Sequence, residues 1–232
     1  MAEVRPRRVG NPRGRGTSTP TEPARWQGAV ARRSAESRAT VPDIDFSVTV
    51  DVEAVLAMER ELGSGLSALW VRACAVSLRE HPAANGAYRD GRFESYERVN
   101  VGVVIAAGEA YAIPTVFDAD TKTAAEIGAE LADLDARTRA GELLAPELSG
   151  ATFTMSDVGG LGIERSTPLV VPPQAAAVST GSVRAQPIVR NGAIVPGHVM
   201  TVTLACDHRI LYGAAAAAFL VTIKTRLEEA RL

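Results

Sequence analysis

Hydrophobic and polar positions along this chain fall into two periods, one of about two residues and one of three to four. The clearest period-two run is Val199 to Ala205, where Thr201 and Thr203 alternate with Val202 and Leu204 as in a strand with two unlike faces. Asp207 and His208 follow, Gly213 punctuates a turn, and Ala214 to Leu232 has the alanine, leucine and charged composition of a helix. Helical composition also marks Arg25 to Arg38, ended by Thr40 to Pro42, then Glu53 to Leu62 and Ser67 to His81. In the last of these, Leu69, Ala73, Val76 and Leu78 form an apolar face, Ser67 is the candidate cap, and Pro82 is the stop. A long amphipathic helix is predicted for Thr123 to Ala140, with Ile127, Leu131 and Leu134 at helical spacing.

Strands are predicted at Asp45 to Val52, Phe93 to Tyr96, Val99 to Ala106, Tyr111 to Phe117, Thr152 to Ser156 and Ala175 to Val183. Pro187 to Val189 is a further strand, turning at Asn191-Gly192 into Ile194-Val195. Asp90-Gly91, inside RDGR, suits the positive backbone angles of a hairpin turn. Helices mixed with mostly antiparallel strands argue for an α+β fold rather than a regular βαβ repeat.

Composition narrows the class. The 232 residues can bury a sizeable core, in one large domain or two small ones. No run approaches the ~18 apolar residues of a membrane span, and the N-terminus lacks a signal-peptide core, so no membrane partner and a cytoplasmic location are expected. Residues 1–25 carry six arginines against two glutamates, while the remainder has 19 basic against 25 acidic groups. The Arg/Pro/Gly-rich stretch 1–24 is therefore expected to be a disordered tail, solvated or docked on an acidic partner. The basic excess ends where folding begins, which argues against nucleic acid as a ligand. Cys74 and Cys206 have neither disulfide nor metal-ligand spacing, so no metal is expected and both read as packing residues; Cys206 is near enough to His208 to be considered as a nucleophile.

His208, at a strand-to-helix junction, is either a buried histidine with satisfied nitrogens or a chemical group held firmly and exposed to substrate. Ser156, at a strand end, reads by itself as a residue bonding its own turn.

REHPAANGAY, RVNVGVVIA, IPTVFDAD, DLDARTRAGEL, ELSGATFTMSDVGGLGI, PLVVPPQAAAVSTGSV and MTVTLACDHRILYGAAAAAFL occur in that order between Arg79 and Leu220, within a resemblance that covers about nine tenths of the chain. From about Arg25 onward the sequence resembles the catalytic domain of the dihydrolipoamide acyltransferases of 2-oxo acid dehydrogenase complexes, whose fold is shared with chloramphenicol acetyltransferase. The resemblance implies a two-layer sandwich with a mixed, largely antiparallel sheet, assembled as a trimer. Residues 25–232 become the catalytic domain, with no lipoyl or peripheral subunit-binding domain expected.

Such enzymes move an acyl group between the thiol of dihydrolipoamide and that of coenzyme A. A free thiol titrates near pH ~8.5, so a base that takes its proton during attack is useful. The resemblance makes His208 that base, returning the proton to the departing thiol, and makes Ser156 the hydroxyl donor to the oxyanion of the tetrahedral intermediate. In the family the two meet in a channel between neighbouring subunits, coenzyme A entering from one side and the lipoyl arm from the other.

Three departures qualify the resemblance. The family motif His-x-x-x-Asp-Gly reads HRILYG here, with Tyr212 in the acidic position. That acid, replaced by asparagine in some relatives, anchors the histidine loop through an arginine; tyrosine brings a hydroxyl and bulk but no charge, which either frees an arginine or reshapes the channel. With no lipoyl domain expected, the lipoyl group would be supplied in trans by a separate lipoyl or acyl carrier protein, without the advantage of tethering. The chain also closes on KTRLEEARL, without the tail that joins family trimers into larger cores, so an isolated trimer is expected.

The reading is a stand-alone acyltransferase of specialised metabolism, acting on a two- to five-carbon or hydroxylated acyl group, with a thiamine-dependent dehydrogenase as a further partner. Two alternatives remain: a non-catalytic scaffold subunit of a dehydrogenase-type complex, or an enzyme acylating a small-molecule amine or alcohol. The sequence assigns no residue to cofactor binding.

Overall fold

Fifteen consecutive residues, Ala193–Asp207, form the strand on which the main sheet is built. The structure is a computed structural model that describes residues 9–11, 14, 16–108 and 110–232. In chain order the first elements are β1 (Val9–Asn11), β2 (Gly16–Ser18), α1 (Arg25–Thr40), β3 (Asp43–Asp51), α2 (Glu53–Leu62), α3 (Leu66–Glu80), β4 (Gly86–Arg89) and β5 (Arg92–Ser95). They are followed by β6 (Val101–Ala107), β7 (Ala110–Ala112), β8 (Thr115–Val116), α4 (Ala124–Ala140), β9 (Phe153–Asp157), β10 (Ala176–Thr180), β11 (Arg184–Arg190), β12 (Ala193–Asp207) and α5 (Gly213–Glu228).

The main sheet is mixed. β12 pairs antiparallel with β11 over its first half, and with both β3 and β10 over its second. β9 lies between β10 and β6 and is parallel to both, while β7 and β8 pair antiparallel with β6. One face of this sheet packs on helices: Phe153 of β9 meets Phe219 of α5 edge-on at 5.8 Å, both fully buried. Fully burying a side chain of this kind contributes about 1.5–3 kcal/mol, and Met155, Val178, Met200, Val202 and Leu204 extend the same core. Helices over a mixed sheet give the two-layer α+β architecture expected from the sequence.

Several elements depart from the sequence reading for local reasons. The strand read as Tyr111 to Phe117 is broken into β7 and β8 at Ile113-Pro114, where the proline has no N–H for the ladder and offers only its carbonyl, to Val103 N at 2.9 Å. β12, by contrast, runs unbroken through Pro196. Pro187 stands directly opposite on β11, so this is a pair at which neither residue has a ladder N–H to lose. Ser67 does not cap α3; the cap is Gly65, and the serine hydroxyl donates instead to Asp157 Oδ2 at 2.8 Å, tying the helix to the end of β9. α5 stops at Glu228, four residues short of the chain end, with Ala230 at φ +50.

The stretch read as a disordered tail contains β1 and β2, which pair with each other; residues 1–8, 12, 13 and 15 of that stretch lie outside the described residues. Among the described residues no helix is long and apolar enough to cross a membrane, and no group of three or more His, Cys, Asp or Glu residues could hold a metal ion.

Candidate active site

β12 delivers Asp207 to the edge of the core, and the chain then turns through His208–Leu211 before α5 begins. The turn is fixed by backbone bonds: His208 N donates to Pro42 O at 3.1 Å, and Leu211 N to Asp207 O at 2.9 Å. His208 is exposed, not buried, which sets aside the structural alternative for it. Its ring stands edge-on to that of Tyr212, 5.8 Å away at 86°. Tyr212 in turn donates its hydroxyl to Arg209 O at 3.2 Å, so the tyrosine spans the loop that carries the histidine.

The arginine of this loop is not free. Arg209 binds Asp207, a carboxylate with 2% side-chain exposure, through Nε and Nη2, and its guanidinium lies 4.5 Å over the Tyr88 ring on β4. The hydrogen bond to Asp207 is the main reason the Arg209 pKa is raised. Cys206 points the other way, into the core: its thiol approaches Ile44 O and Leu211 O at 3.6 Å, and burial pushes its pKa up to about 12. Such a thiol is a packing group, not a nucleophile.

Ser156 sits near the C-terminal end of β9 and lines a cavity of about 480 Å³. The cavity is mostly apolar, with Val104, Ile113, Leu169 and Val171 among its walls, Thr154 beside the serine, and Arg33 and Ser34 contributed by α1. Thr154 donates to Gln174 Oε1 at 2.7 Å, and Gln174 donates to Ala151 O at 3.1 Å, which ties β9 to the segment before β10.

The sheet register separates the two predicted chemical groups. Ser156 pairs with Ser179 on β10, and Ser179 with Thr203 on β12, five residues before His208. Two strand spacings and five residues of strand rise amount to roughly 19 Å, and His208 is not among the cavity residues. One chain does not bring Ser156 and His208 together.

Comparison with known proteins places this arrangement. Residues 16–232 match the 2-oxoacid dehydrogenases acyltransferase (catalytic domain) family. The chain belongs to that acyltransferase family. A dihydrolipoyllysine-residue acetyltransferase component of the pyruvate dehydrogenase complex from Zymomonas mobilis is 31% identical over 209 residues, covering 86% of this chain and 48% of that protein. A mitochondrial dihydrolipoyllysine-residue succinyltransferase component of the 2-oxoglutarate dehydrogenase complex from Saccharomyces cerevisiae is 29% identical over 93% of this chain and 49% of its own length. The acyltransferase chain thus spans about half the length of the curated relatives it matches.

The dihydrolipoamide acetyltransferase of Azotobacter vinelandii superposes with a TM-score of 0.88 at 25% identity, covering 93% of each chain. A serine, a histidine and an asparagine were investigated for their roles in that enzyme's catalytic mechanism. Chloramphenicol acetyltransferase, at 15% identity and a TM-score of 0.54, shares the fold alone.

Two features of the surroundings of His208 and Ser156 were missed by sequence reading. The Asp207–Arg209–Tyr88 stack joins residues about 120 positions apart, and the separation at which aspartate and arginine pair, two residues across a turn, carries no periodic signal. The cavity beside Ser156 is assembled from α1, β6, β7, β9 and the 166–171 segment, an association that no local pattern encodes.

Proposed function

We propose that this chain is the catalytic domain of an acyltransferase that exchanges an acyl group between a dihydrolipoyl thiol and the thiol of coenzyme A, both serving as substrates. His208 removes the proton from the attacking thiol. The resulting C–S bond formation places negative charge on the thioester oxygen, to which Ser156 donates its hydroxyl. Collapse expels the other thiolate, which recovers the proton from His208, so atoms and charge balance over the cycle. Tyr212 takes the place of the usual acid, holding the loop through Arg209 O and flanking the imidazole with its ring.

The separation of Ser156 from His208 carries this reading. Both are accessible, one lining a cavity and the other on the surface, yet the register holds them roughly 19 Å apart within a chain. An active site using both is completed by a second chain, as in a trimer whose neighbouring subunits contribute one group each. Relatives are components of pyruvate and 2-oxoglutarate dehydrogenase complexes, which supports the proposal that this chain associates with a thiamine-dependent dehydrogenase and a lipoyl carrier protein.

The test is a thioester exchange assay between acyl-dihydrolipoamide and coenzyme A, using His208→Ala, Ser156→Ala and an equimolar co-refolded mixture of the two. Each variant alone is expected to lose about 10²–10³ in rate. The mixture regains part of the activity, because an interface with histidine from one variant and serine from the other is intact. Full activity in His208→Ala would remove the base, whereas a parental chain without exchange activity would favour a non-catalytic scaffold, for which the tyrosine at position 212 is the supporting feature. A mixture no more active than its components would mean that the site is not shared between chains, and light scattering showing a monomer would count equally against it.

A further inference from the structure

The row of residues running across the sheet at Ser156 is made of hydroxyls. Ser156 on β9 pairs with Ser179 on β10, Ser179 with Thr203 on β12, and Thr203 with Ser47 on β3. Register partners project to the same face of a sheet, so the four hydroxyls stand side by side. At one end of the row Thr203 and Ser47 share a hydrogen bond of 3.0 Å. Ser179 differs from them. It is 1% exposed, and its Oγ is buried without a hydrogen-bond partner among the described residues. A buried hydroxyl with nothing to bond is unfavourable.

Position gives that hydroxyl a use. The cavity beside Ser156 is walled on the β6 side by Val104, by Tyr111, Ala112 and Ile113, and by α1 and the 166–171 segment; no residue of β10 lines it. Ser179 therefore adjoins Ser156 from the side away from the cavity. Neighbouring strands lie about 5 Å apart, so rotation about χ1 at the two serines brings their oxygens into hydrogen-bonding range.

We propose that Ser179 is a positioning residue for Ser156: its hydroxyl donates to Ser156 Oγ from behind, and the hydrogen of Ser156 is thereby left to point into the cavity, where the thioester oxygen gains charge. One arrangement meets both needs. It gives the Ser179 hydrogen an acceptor, and it prevents Ser156 from directing its own hydrogen back along the sheet. A donated hydrogen bond also polarises the acceptor hydroxyl, making it the stronger donor. This inference rests on Ser156 being the oxyanion donor.

The experiment is a double-mutant cycle on the full chain in its native assembly, with Ser179→Ala, Ser156→Ala and the double variant, read by acyl exchange and by thermal unfolding. Ser179→Ala is expected to lower kcat about tenfold with KM unchanged, and to have no further effect in the Ser156→Ala background. Melting temperatures are expected to be non-additive across the same cycle, a coupling that exists whether or not Ser156 is chemical. If Ser156→Ala retains full exchange activity, the oxyanion assignment fails while the thermal coupling still reports the hydroxyl pair. If Ser156→Ala is impaired but Ser179→Ala turns over at the parental rate, or lowers the rate by the same factor in both backgrounds, the positioning role is overturned and the assignment of Ser156 stands. Additive melting temperatures would overturn the pair itself.

Discussion

Arg209 holds Asp207 with Nε at 2.9 Å from Oδ1 and Nη2 at 2.6 Å from Oδ2, on either side of the exposed His208. The carboxylate is almost fully buried while the guanidinium remains one-third exposed. Removing the arginine strands a buried charge, and removing such a partner typically costs about 3–5 kcal/mol; the exposure of the arginine argues for the lower end. Arg209→Ala is expected to lower the melting temperature and, by loosening the turn, to reduce exchange activity more than Arg209→Lys does. Differential scanning calorimetry with parallel kinetics checks this, and a neutral Arg209→Ala would show that the pair does not hold the loop.

Tyr212 is the N-cap of α5, and its side chain makes no capping hydrogen bond. Aspartate at that position can accept from the exposed N–H groups of the first turn and complement the helix dipole, a gain of about 1 kcal/mol. Tyr212→Asp is therefore expected to raise the melting temperature by roughly 2–4 °C. It also removes the ring flanking His208, so acyl preference, or the rate with an ordinary acetyl donor, should change. A variant with unchanged melting and unchanged acyl profile would make the tyrosine incidental.

Glu53, at the start of α2, accepts from His198 Nδ1 at 2.8 Å and from His198 N at 3.0 Å, joining the helix to β12. The side-chain bond from His198 is the main reason the Glu53 pKa is lowered in the fold. A depressed carboxylate pKa contributes stability that is present above the unfolded value, near pH ~4.3, and is lost as pH falls through the lower folded value. Melting temperature should therefore fall with acidification in that window, less steeply in His198→Ala. Identical acid profiles for the two proteins would rule out this contact as a contributor.

Gly128 lies in the middle of α4, where alanine ordinarily stabilises a helix by about 1 kcal/mol. Here a Cβ would stand 2.3 Å from Ser64 O, in the turn between α2 and α3. Overpacking of this kind costs about 1–3 kcal/mol or more, so Gly128→Ala is expected to destabilise, against the helix scale. Chemical denaturation that finds the variant more stable would mean that α4 does not pack this closely.

Much of the fold was legible because its signals are local. The period-two runs and the Asp90-Gly91 and Asn191-Gly192 turns are set by backbone sterics and short-range hydrogen bonds. So too was the placement of His208 at a strand-to-helix junction and of Ser156 at a strand end. Boundaries failed where a distant partner decided them: Ser67 was drawn from capping by Asp157, and β12 continued through Pro196 because Pro187 faced it.

The sequence by itself determined which residue types are available for chemistry and on which elements they sit, since composition and periodicity are properties of neighbours along the chain. Tertiary structure alone decided how they are related. Strand register, fixed by packing of the core face, placed Ser156 beside Ser179 and far from His208. Burial turned Cys206 into a packing group and Asp207 into the anchor of Arg209. These relationships depend on distances between residues remote in sequence, and it is close packing of the whole chain that fixes such distances.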